Sequence, residues 1–407
     1  MDGIYTLSNQ VKYYDWGSPE WIPDLLGIPN TSGSPWAELW MGIHPGAPSE
    51  AMDGGALVPL PELIRRNPPA LLGKSAEERY GTLPFLFKIL AAARPLSIQV
   101  HPNLEQAKNG WERENNAGIP LDSPERNYQD PNHKPEILCA LSPFRAMCGF
   151  RHVSEIRILA GACGTPVLDT ARKALEDKNE EAALRGFVSS LFELPGNALA
   201  ELGVYLRNRT ETLTEILPQY RREWELCRDF SLLYREDAGI LAPLYLNVLD
   251  LNPGEAIFLP AGILHAYVRG LGVELMANSD NVLRGGLTSK HVDIDELCSI
   301  LSFKQFLPDI LNPPAPSPDC FTYPGETAEF SLTVANNHGS DRQYPLEGPN
   351  ILIVTEGTLE LSRTGSAEKM ILSKGESAFV SAGVSSNPVR CTGTYRMYCA
   401  GIGTDRC

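Results

Sequence analysis

The sequence predicts a mainly β protein with a helical insertion and a second, degenerate β-barrel at its C-terminal end. Three observations lead to this fold class. Short apolar runs broken by Pro and Gly fill the first 150 residues, as is typical of strands and turns. Charged, helix-forming sequence occupies residues 152–240, and a twelve-residue pattern that begins at Gly254 recurs from Gly375. Such a recurrence indicates a repeated structural unit.

The domain boundaries follow from these changes in composition. Leu83–Ala92 and Leu96–Val100 are strand-like runs, whereas Asn179–Leu184 is followed by apolar residues at helical intervals. Strand texture returns at Leu244–Leu249, so the first domain is expected to be discontinuous. The first domain is predicted to comprise residues 1–151 and 241–310, with a helical insertion at residues 152–240. A proline-rich linker at residues 311–318 then leads to a C-terminal β domain at residues 319–407.

Gly254–His265 is the most informative motif of the chain. It reads Gly-Glu-Ala-Ile-Phe-Leu-Pro-Ala-Gly-Ile-Leu-His. The apolar run 256–259 predicts a strand, and the glycines with Pro260 predict a tight turn. A turn of this kind can aim an imidazole into a small barrel. The motif therefore nominates His265 as a metal ligand.

Two further motifs supply partners for His265. Ser97, Gln99 and His101 alternate with apolar residues, so their side chains share one face of a strand. Glu136 begins another apolar, strand-like run. Gln99, His101, Glu136 and His265 together offer two imidazole nitrogens and two oxygens, without a thiolate. That ligand set predicts one catalytic Zn²⁺ per chain.

Composition limits the class of protein. The 407 residues suffice for two or three domains, and 43% hydrophobic and 21% charged residues are ordinary for a globular protein. We expect no membrane contact and a cytoplasmic location, because neither a membrane-length apolar stretch nor a signal peptide is present. The net charge of −15 argues against nucleic acid as a partner. The nine cysteines contain no Cys-x-x-Cys pair, which indicates reduced thiols, and nothing requires more than a monomer.

The segment Gly375–Ser386 aligns position for position with Gly254–His265. Both glycines are kept, but Pro260 is replaced by Ser381 and the histidine by Ser386. The alignment predicts a second barrel of the same type that lacks the metal site.

The Gly254–His265 pattern resembles the second conserved motif of the cupins, double-stranded β-helix (jelly-roll) barrels that hold a metal at the barrel mouth. Where cupins usually carry the first histidine of a His-x-His pair, this chain has Gln99, and a long loop delays the glutamate to Glu136. This departure is similar to the type I mannose-6-phosphate isomerases. Further segments similar to that family occur in family order, at Tyr14–Ser18, Ala37–Gly42, Pro84–Leu90, Leu96–Asn103, Tyr128–Glu136 and Asn278–Thr288. Two departures, Gly285 for alanine and Ser289 for proline, involve no predicted ligand.

The resemblance implies zinc-dependent interconversion of mannose 6-phosphate and fructose 6-phosphate, with Gln99, His101, Glu136 and His265 as ligands. This reaction moves a proton between C1 and C2 through an enediol. Arg284 is expected to stabilise the developing oxyanion. The proton shuttle stays open among Glu274, Asp280, His133 and Lys134. The residues expected to hold the phosphate are Lys88, Ser97 and Lys290.

Two other functions stay open on the sequence alone, a metal-dependent dioxygenase and a non-catalytic sugar-binding cupin. Four protein ligands argue against the first, because iron oxygenases leave coordination positions open for O₂. The presence of Arg284 beside the ligand motifs favours catalysis over the second. Trp16 and Trp40 are expected to anchor the core. The remaining histidines have no partner at metal-ligand spacing and are expected to be ordinary residues, namely His44, His152, His291 and His338.

Overall fold

The computed structural model describes residues 3–314, 319–344, 346, 348–363, 368–384 and 389–403. Parts of two predicted features, the end of the proline-rich linker and the serines that close the C-terminal repeat, lie outside the described residues. These parts are 315–318 and 385–386.

Antiparallel strand pairing dominates the molecule and builds two sheets. In chain order the strands are β1 (Ile4–Ser8), β2 (Gln10–Lys12), β3 (Glu38–Met41), β4 (Glu50–Asp53), β5 (Ala56–Pro59), β6 (Phe85–Ala92), β7 (Ile98–Val100), β8 (Glu136–Ala140), β9 (Phe144–Phe150), β10 (Leu246–Leu251), β11 (Ala256–Leu259), β12 (His265–Ala277), β13 (Leu283–Gly286), β14 (Cys320–Thr322), β15 (Ser331–His338), β16 (Arg342–Tyr344), β17 (Asn350–Arg363), β18 (Lys369–Ser373), β19 (Ser377–Val380), β20 (Val389–Thr392) and β21 (Thr394–Gly401).

Helices flank the sheets and concentrate between β9 and β10. In chain order they are α1 (Trp21–Leu26), α2 (Leu60–Arg66), α3 (Pro68–Leu72), α4 (Lys74–Tyr80), α5 (Leu104–Asn116), α6 (Val153–Cys163), α7 (Asp169–Ala174), α8 (Glu180–Phe192), α9 (Gly196–Ile216), α10 (Arg221–Leu233), α11 (Ala242–Tyr245) and α12 (Ile294–Ile300). The predicted fold class, mainly β with a helical insertion and a second β unit, is confirmed.

The helix α5 was not expected from the sequence. Asn103 caps its first turn, and the Gln106 side chain bonds back to the Asn103 amide, so the two residues form a capping box. This arrangement satisfies two backbone donors that would otherwise lack partners. The Asn-x-x-Gln signal was therefore present in the sequence. None of the helices in the described ranges combines the length and apolar character needed to cross a membrane.

The strand β12 organises the first sheet, which contains β2, β3 and β6–β13. Its first half pairs with β7 and β9, and its second half pairs with β6 and β8. One continuous strand thus connects both walls of a β-roll. The side chains of β6 alternate between two environments, as strand geometry requires. Phe85, Phe87 and Ile89 enter the core shared with the second sheet, while Lys88 faces a cavity on the other side.

The second sheet combines strands from both ends of the chain. It contains β14–β21 together with β1, β4 and β5. Ile4 lies opposite Val380, so the first strand of the protein is an integral part of the C-terminal β unit. The domain division given above stays a proposal. If it is adopted, the pairing of β1 with β19 crosses its boundary, because hydrogen bonding joins sequence-distant strands that composition cannot relate.

Candidate active site

Three potential metal ligands converge in the first β-roll. His101, Glu136 and His265 are buried, and their ligand atoms all lie within 4.8 Å of one another. The Nε2 atom of His101 is 3.3 Å from Glu136 Oε1, and Nε2 of His265 is 3.5 Å from Glu136 Oε2. β8 begins at Glu136, which pairs with Met276 near the far end of β12, whereas His265 begins β12 and pairs with Gln99. The two side chains therefore meet across the β-roll and not by direct strand pairing.

The backbone fixes how both imidazoles point. Nδ1 of His101 lies 2.7 Å from the carbonyl oxygen of Asn281, and Nδ1 of His265 lies 2.9 Å from that of Ile263. A carbonyl can only accept, so each Nδ1 carries a proton, and in the neutral ring the lone pair is on Nε2. Both lone pairs are directed at Glu136. This is the ring orientation that metal-binding histidines require.

The cluster has unsatisfied acceptors. Nε2 of His101 and Oε2 of Glu136 are buried without a hydrogen-bond partner among the described residues. Buried polar atoms of native proteins normally have partners, and an ion is one accepted explanation for an exception. Two acceptor atoms without donors fit a cation between them. The residues present therefore fit a divalent metal.

Charge states at the cluster also suit a metal. Burial alone would raise the pKa of Glu136, but His101 and Lys134 outweigh it and hold that pKa well below its ordinary value. Burial lowers the pKa of His101 to about 4, against the opposing effect of Glu136. A carboxylate anion and a neutral imidazole are the forms that bind metals.

Gln99 completes the arrangement from β7. Its amide nitrogen is 3.4 Å from Nε2 of His265, and its backbone pairs with His265 on one side and Arg284 on the other. A side-chain amide presents its oxygen after a 180° turn about its terminal bond. Gln99 is thus placed to offer that oxygen to the same point.

The turn predicted before His265 is formed as expected. Gly254 and Gly262 have positive φ angles of 91° and 78°, which favour glycine. The Gly262 amide donates to the carbonyl of His101 at 2.9 Å. This bond ties the turn directly to the strand end that carries the other imidazole.

A cavity of about 710 Å³ adjoins the cluster. It brings together most of the residues nominated from the sequence, although they are scattered over two hundred positions. These are Lys88, Ser97, Gln99, Lys134, Glu136, Glu274, Asp280, Arg284 and Lys290. The volume suits a small organic molecule.

Lys88 lies between two carboxylates. Its Nζ is 3.0 Å from Glu274 and 3.5 Å from Glu38, and all three residues are buried. Burial alone would lower the pKa of Lys88, but the two carboxylates raise it. Burial raises the pKa of Glu274, against the opposing effect of Lys88. The phosphate role predicted for Lys88 fits this site poorly, because its charge is already balanced by anions.

Arg284 and Lys290 form a different, cationic side of the cavity. Neither makes an ion pair with a carboxylate within the described part of the chain. Burial lowers the pKa of Arg284, and burial followed by the nearby Arg284 charge lowers the pKa of Lys290. Arg284 is partly buried and Lys290 is exposed. Two cavity cations without an ion-pair partner among the described residues favour an anionic ligand.

Two more candidates are held by ion pairs at the cavity. Asp280 accepts from His44 at 3.1 Å. Burial alone would raise the pKa of Asp280, but His44 and the nearby lysines outweigh it and lower that pKa. His44 was expected to be an ordinary residue, and its partner is this cavity carboxylate. Lys134 lies 3.4 Å from Glu136. It therefore adjoins the metal cluster directly.

His133 does not join the cavity. Its Nε2 pairs with Glu329 at 3.0 Å, in the loop before β15 of the second sheet. Alternation along the chain turns His133 outward while Lys134 and Glu136 reach the site from the same segment. A shuttle role for His133 is therefore not supported by its position, although three residues separate it from Glu136.

Sequence reasoning missed several residues that shape the site. Glu38 binds Lys88 and also accepts from the Trp40 indole at 2.8 Å. Asn281 supplies the carbonyl for His101, and its side-chain amide donates to the carbonyls of Asp130 and Asn132. A carboxylate inside the apolar run Ala37–Gly42 was a usable signal for Glu38. Nothing local indicated the role of Asn281.

The chain is similar to proteins of known activity. A model described as "Phosphomannose isomerase type I, catalytic domain" matches residues 4–153. Mannose-6-phosphate isomerase of Salmonella typhimurium is 40% identical over 397 residues, covering 96% of this chain and 97% of that protein. The human enzyme of that name is 31% identical, covering 93% of each.

Solved structures of mannose 6-phosphate isomerases are also similar to this chain. A zinc-bound mannose 6-phosphate isomerase has a TM-score of 0.88 and 38% identity, covering 99% of this chain and 100% of that one. The Salmonella typhimurium enzyme bound to fructose 6-phosphate and zinc has a TM-score of 0.90 and 37% identity, with the same coverage.

Proposed function

The chain belongs to the type I mannose-6-phosphate isomerases, and we propose that it interconverts mannose 6-phosphate and fructose 6-phosphate with one zinc ion per chain. The observation that carries the proposal is the buried His101–Glu136–His265 cluster, which opens on a cavity rich in charged groups. Two of its acceptor atoms, Nε2 of His101 and Oε2 of Glu136, lack a donor among the described residues. Zinc bound by these residues and Gln99 would supply Lewis-acid stabilisation of negative charge on a substrate oxygen.

Glu274 is the proposed acid/base group. The reaction removes a proton from one of two adjacent carbons and returns it to the other. A buried carboxyl with a raised pKa accepts and returns such a proton near neutral pH more readily than an ordinary one. Lys88 at 3.0 Å fixes the orientation of this carboxyl and stabilises its charged form. Asp280, whose pKa is lowered, is the weaker base.

Substrate binding divides the cavity by charge. Arg284 and Lys290 would attract the phosphate or the developing oxyanion, with the Ser97 hydroxyl as a further donor. The proposed role of Arg284 is oxyanion stabilisation, and that of Lys290 and Ser97 is phosphate binding. Lys88 belongs with the acid/base group, since a phosphate beside it would also meet Glu38 and Glu274. Lys134, 3.4 Å from Glu136, is proposed to orient that ligand and the sugar hydroxyls.

A coupled assay for fructose 6-phosphate tests the function. Protein stripped of metal by a chelator should be inactive on mannose 6-phosphate, and stoichiometric zinc should restore turnover. Absence of turnover in the zinc-loaded protein would contradict the proposal, and oxygen consumption would point to the dioxygenase alternative. We further propose a monomer that acts in the cytoplasm on this small-molecule substrate, without nucleic acid or membrane partners; sedimentation and fractionation test these points.

A further inference from the structure

Asp237, in the segment after α10, holds the loop between Arg284 and Lys290. One carboxylate oxygen accepts from the Gly239 amide at 2.7 Å, and the other accepts from the Thr288 amide at 3.1 Å. The first bond fixes Asp237 within its own segment. The second reaches 51 residues along the chain to the loop. One side chain therefore joins the segment after α10 to the loop that follows β13 and ends at Lys290.

Two glycines make this close approach possible. A Cβ atom on Gly286 would lie 2.6 Å from Asp237 Oδ1 and 2.9 Å from the Cα of Gly239. A Cβ atom on Gly239 would lie 2.8 Å from the Leu287 amide nitrogen. Real Cβ atoms do not approach other atoms so closely. The backbones of the two segments are thus in direct contact around the Asp237 carboxylate.

Leu287 adopts a backbone conformation that needs external support. Its φ of 52° is the one positive value among the non-glycine residues that the structure describes. A branched side chain is disfavoured there, and such residues persist only where their surroundings hold them. Leu287 is buried and lines the cavity. The Thr288 amide bound by Asp237 follows it directly, so Asp237 acts at the strained point.

The same helical segment also contacts the opposite side of the cavity. The Tyr234 hydroxyl donates to the carbonyl of Pro95 at 3.4 Å, two residues before Ser97. Tyr234 and Leu233 line the cavity, whereas Asp237 does not. The end of α10 and the residues after it therefore position two chain segments that carry proposed phosphate donors.

We infer that Asp237 is a positioning residue that holds the Gly286–Lys290 loop so that Lys290 is directed at the phosphate of the substrate. Without it, Leu287 would relax towards a negative φ and Lys290 would move away from the phosphate. The loss would fall on anion binding, because neither the metal cluster nor Glu274 contacts Asp237. This inference rests on the proposed function, since it takes the anion to be the sugar phosphate.

Two variants and a neighbouring control test the inference. Asp237→Ala removes both acceptors, and Asp237→Asn keeps the shape but places an amide nitrogen against one backbone donor. Glu236→Gln is the matched control, because Glu236 precedes Asp237, is exposed and carries the same charge. The measurements are kcat, the KM for mannose 6-phosphate, the inhibition constant for inorganic phosphate, and zinc content.

We expect Asp237→Ala to raise both the KM and the inhibition constant by about tenfold, with smaller increases for Asp237→Asn. Zinc should stay at one per chain, kcat should change by less than about threefold, and Glu236→Gln should match the unmodified protein. Hydrogen exchange of the 286–290 amides should speed up in the Asp237 variants alone.

Other outcomes separate this inference from the proposed function. An unchanged inhibition constant in Asp237→Asn and Asp237→Ala would overturn the positioning role, as would equal effects in Glu236→Gln. If Asp237→Ala does not fold, Asp237→Asn decides. If Lys290→Ala leaves the inhibition constant for inorganic phosphate unchanged while Asp237→Ala raises it, the loop is positioned by Asp237 but the assigned phosphate ligand is wrong.

Discussion

The two β-units of the molecule contain the same turn in different surroundings. Gly254 and Gly375 have φ angles of 91° and 88°. Each is followed by a glutamate whose carboxylate accepts, at 2.7 Å, from a backbone amide three residues earlier. The strands that follow, β11 and β19, occupy the same four aligned positions. The repeat inferred from the sequence is therefore repeated in local structure.

The surroundings of the two turns differ. Leu259, the last residue of β11, lies opposite Glu136, whereas the aligned Val380 lies opposite Asn350. After Gly262 the chain continues to His265 and β12, but after Ser381 it forms a short 3₁₀ helix. In the described residues, a three-ligand cluster occurs only at the first turn. A shared turn thus provides a scaffold, and neighbouring strands decide whether it binds metal.

Of the changes considered, removal of the histidine ligand at the first turn should have the largest effect on metal binding and activity. We expect His265→Ala to lose its zinc and to lower kcat/KM about a thousandfold, because Lewis-acid stabilisation is lost. Gln99→Ala should lower zinc content and activity together. The control is Ser386→Ala at the aligned position, which lies outside the described residues and should retain both. Full activity in zinc-free His265→Ala would contradict the site. Metal analysis and steady-state kinetics give the measurements.

The cationic side of the cavity, for which the second sheet has no assigned counterpart, is tested next. Arg284→Ala should retain one zinc per chain and lower kcat about a hundredfold, because a preorganised cation near the developing charge is removed. Arg390→Ala in the second sheet is the control, since its guanidinium pairs with exposed Asp341. The assignment fails if Arg284→Ala loses zinc in proportion to turnover, because Arg284 would then support the metal cluster.

Alanine substitutions at the two aligned glycines should lower the free energy of unfolding by different amounts. Both positions require a left-handed backbone, which costs about 1 kcal/mol for alanine. At Gly254 a Cβ meets nothing within 4 Å, but at Gly375 it would lie 2.5 Å from the Leu25 carbonyl oxygen. Gly375→Ala should therefore lower the free energy of unfolding by about 3 kcal/mol. Equal losses in urea titrations of the two variants would show that the contact with α1 is unimportant.

Loss of the ion pair between His133 and Glu329, one contact between the two β-units, should have the smallest effect on stability. A hydrogen bond from His133, opposed by burial, lowers the pKa of Glu329 from 4.5 to about 2. A carboxyl with a lowered folded-state pKa stabilises the fold above about pH 4.5, and this contribution is lost as the pH falls towards 2. Glu329→Gln should thus cost about 0.5 kcal/mol at pH 7, since the pair is partly exposed and therefore screened by solvent.

The pH dependence provides the check on that pair. The difference in unfolding free energy between the unmodified protein and Glu329→Gln should shrink when urea titrations are repeated at pH 4 and below. A difference that stays constant from pH 7 to pH 3 would show that the carboxylate charge contributes nothing. Zinc content should be unaffected throughout, because Glu329 lies outside the cavity.

Local sequence patterns predicted those site residues that lie on strands or at strand ends. The alternation around Gln99 and His101 indicated a shared face, and the turn before His265 indicated an aimed imidazole. The partners of Lys88 were not predictable, because Glu38 and Glu274 reach it by pairing across β3, β6 and β12. The outward position of His133 was equally hidden, since its partner Glu329 belongs to the other sheet.

Short stretches of sequence were enough to predict the strand period, the glycine-dependent turns, the helical insertion and the set of ligand types, because these depend on neighbours within a few residues. Which charges meet depends on the tertiary fold. The fold pairs Lys88 with two carboxylates, leaves Arg284 and Lys290 without one among the described residues, and joins β1 to β19. Such encounters depend on strand pairing between distant segments, whose free energy is shared over whole sheets and leaves no local pattern.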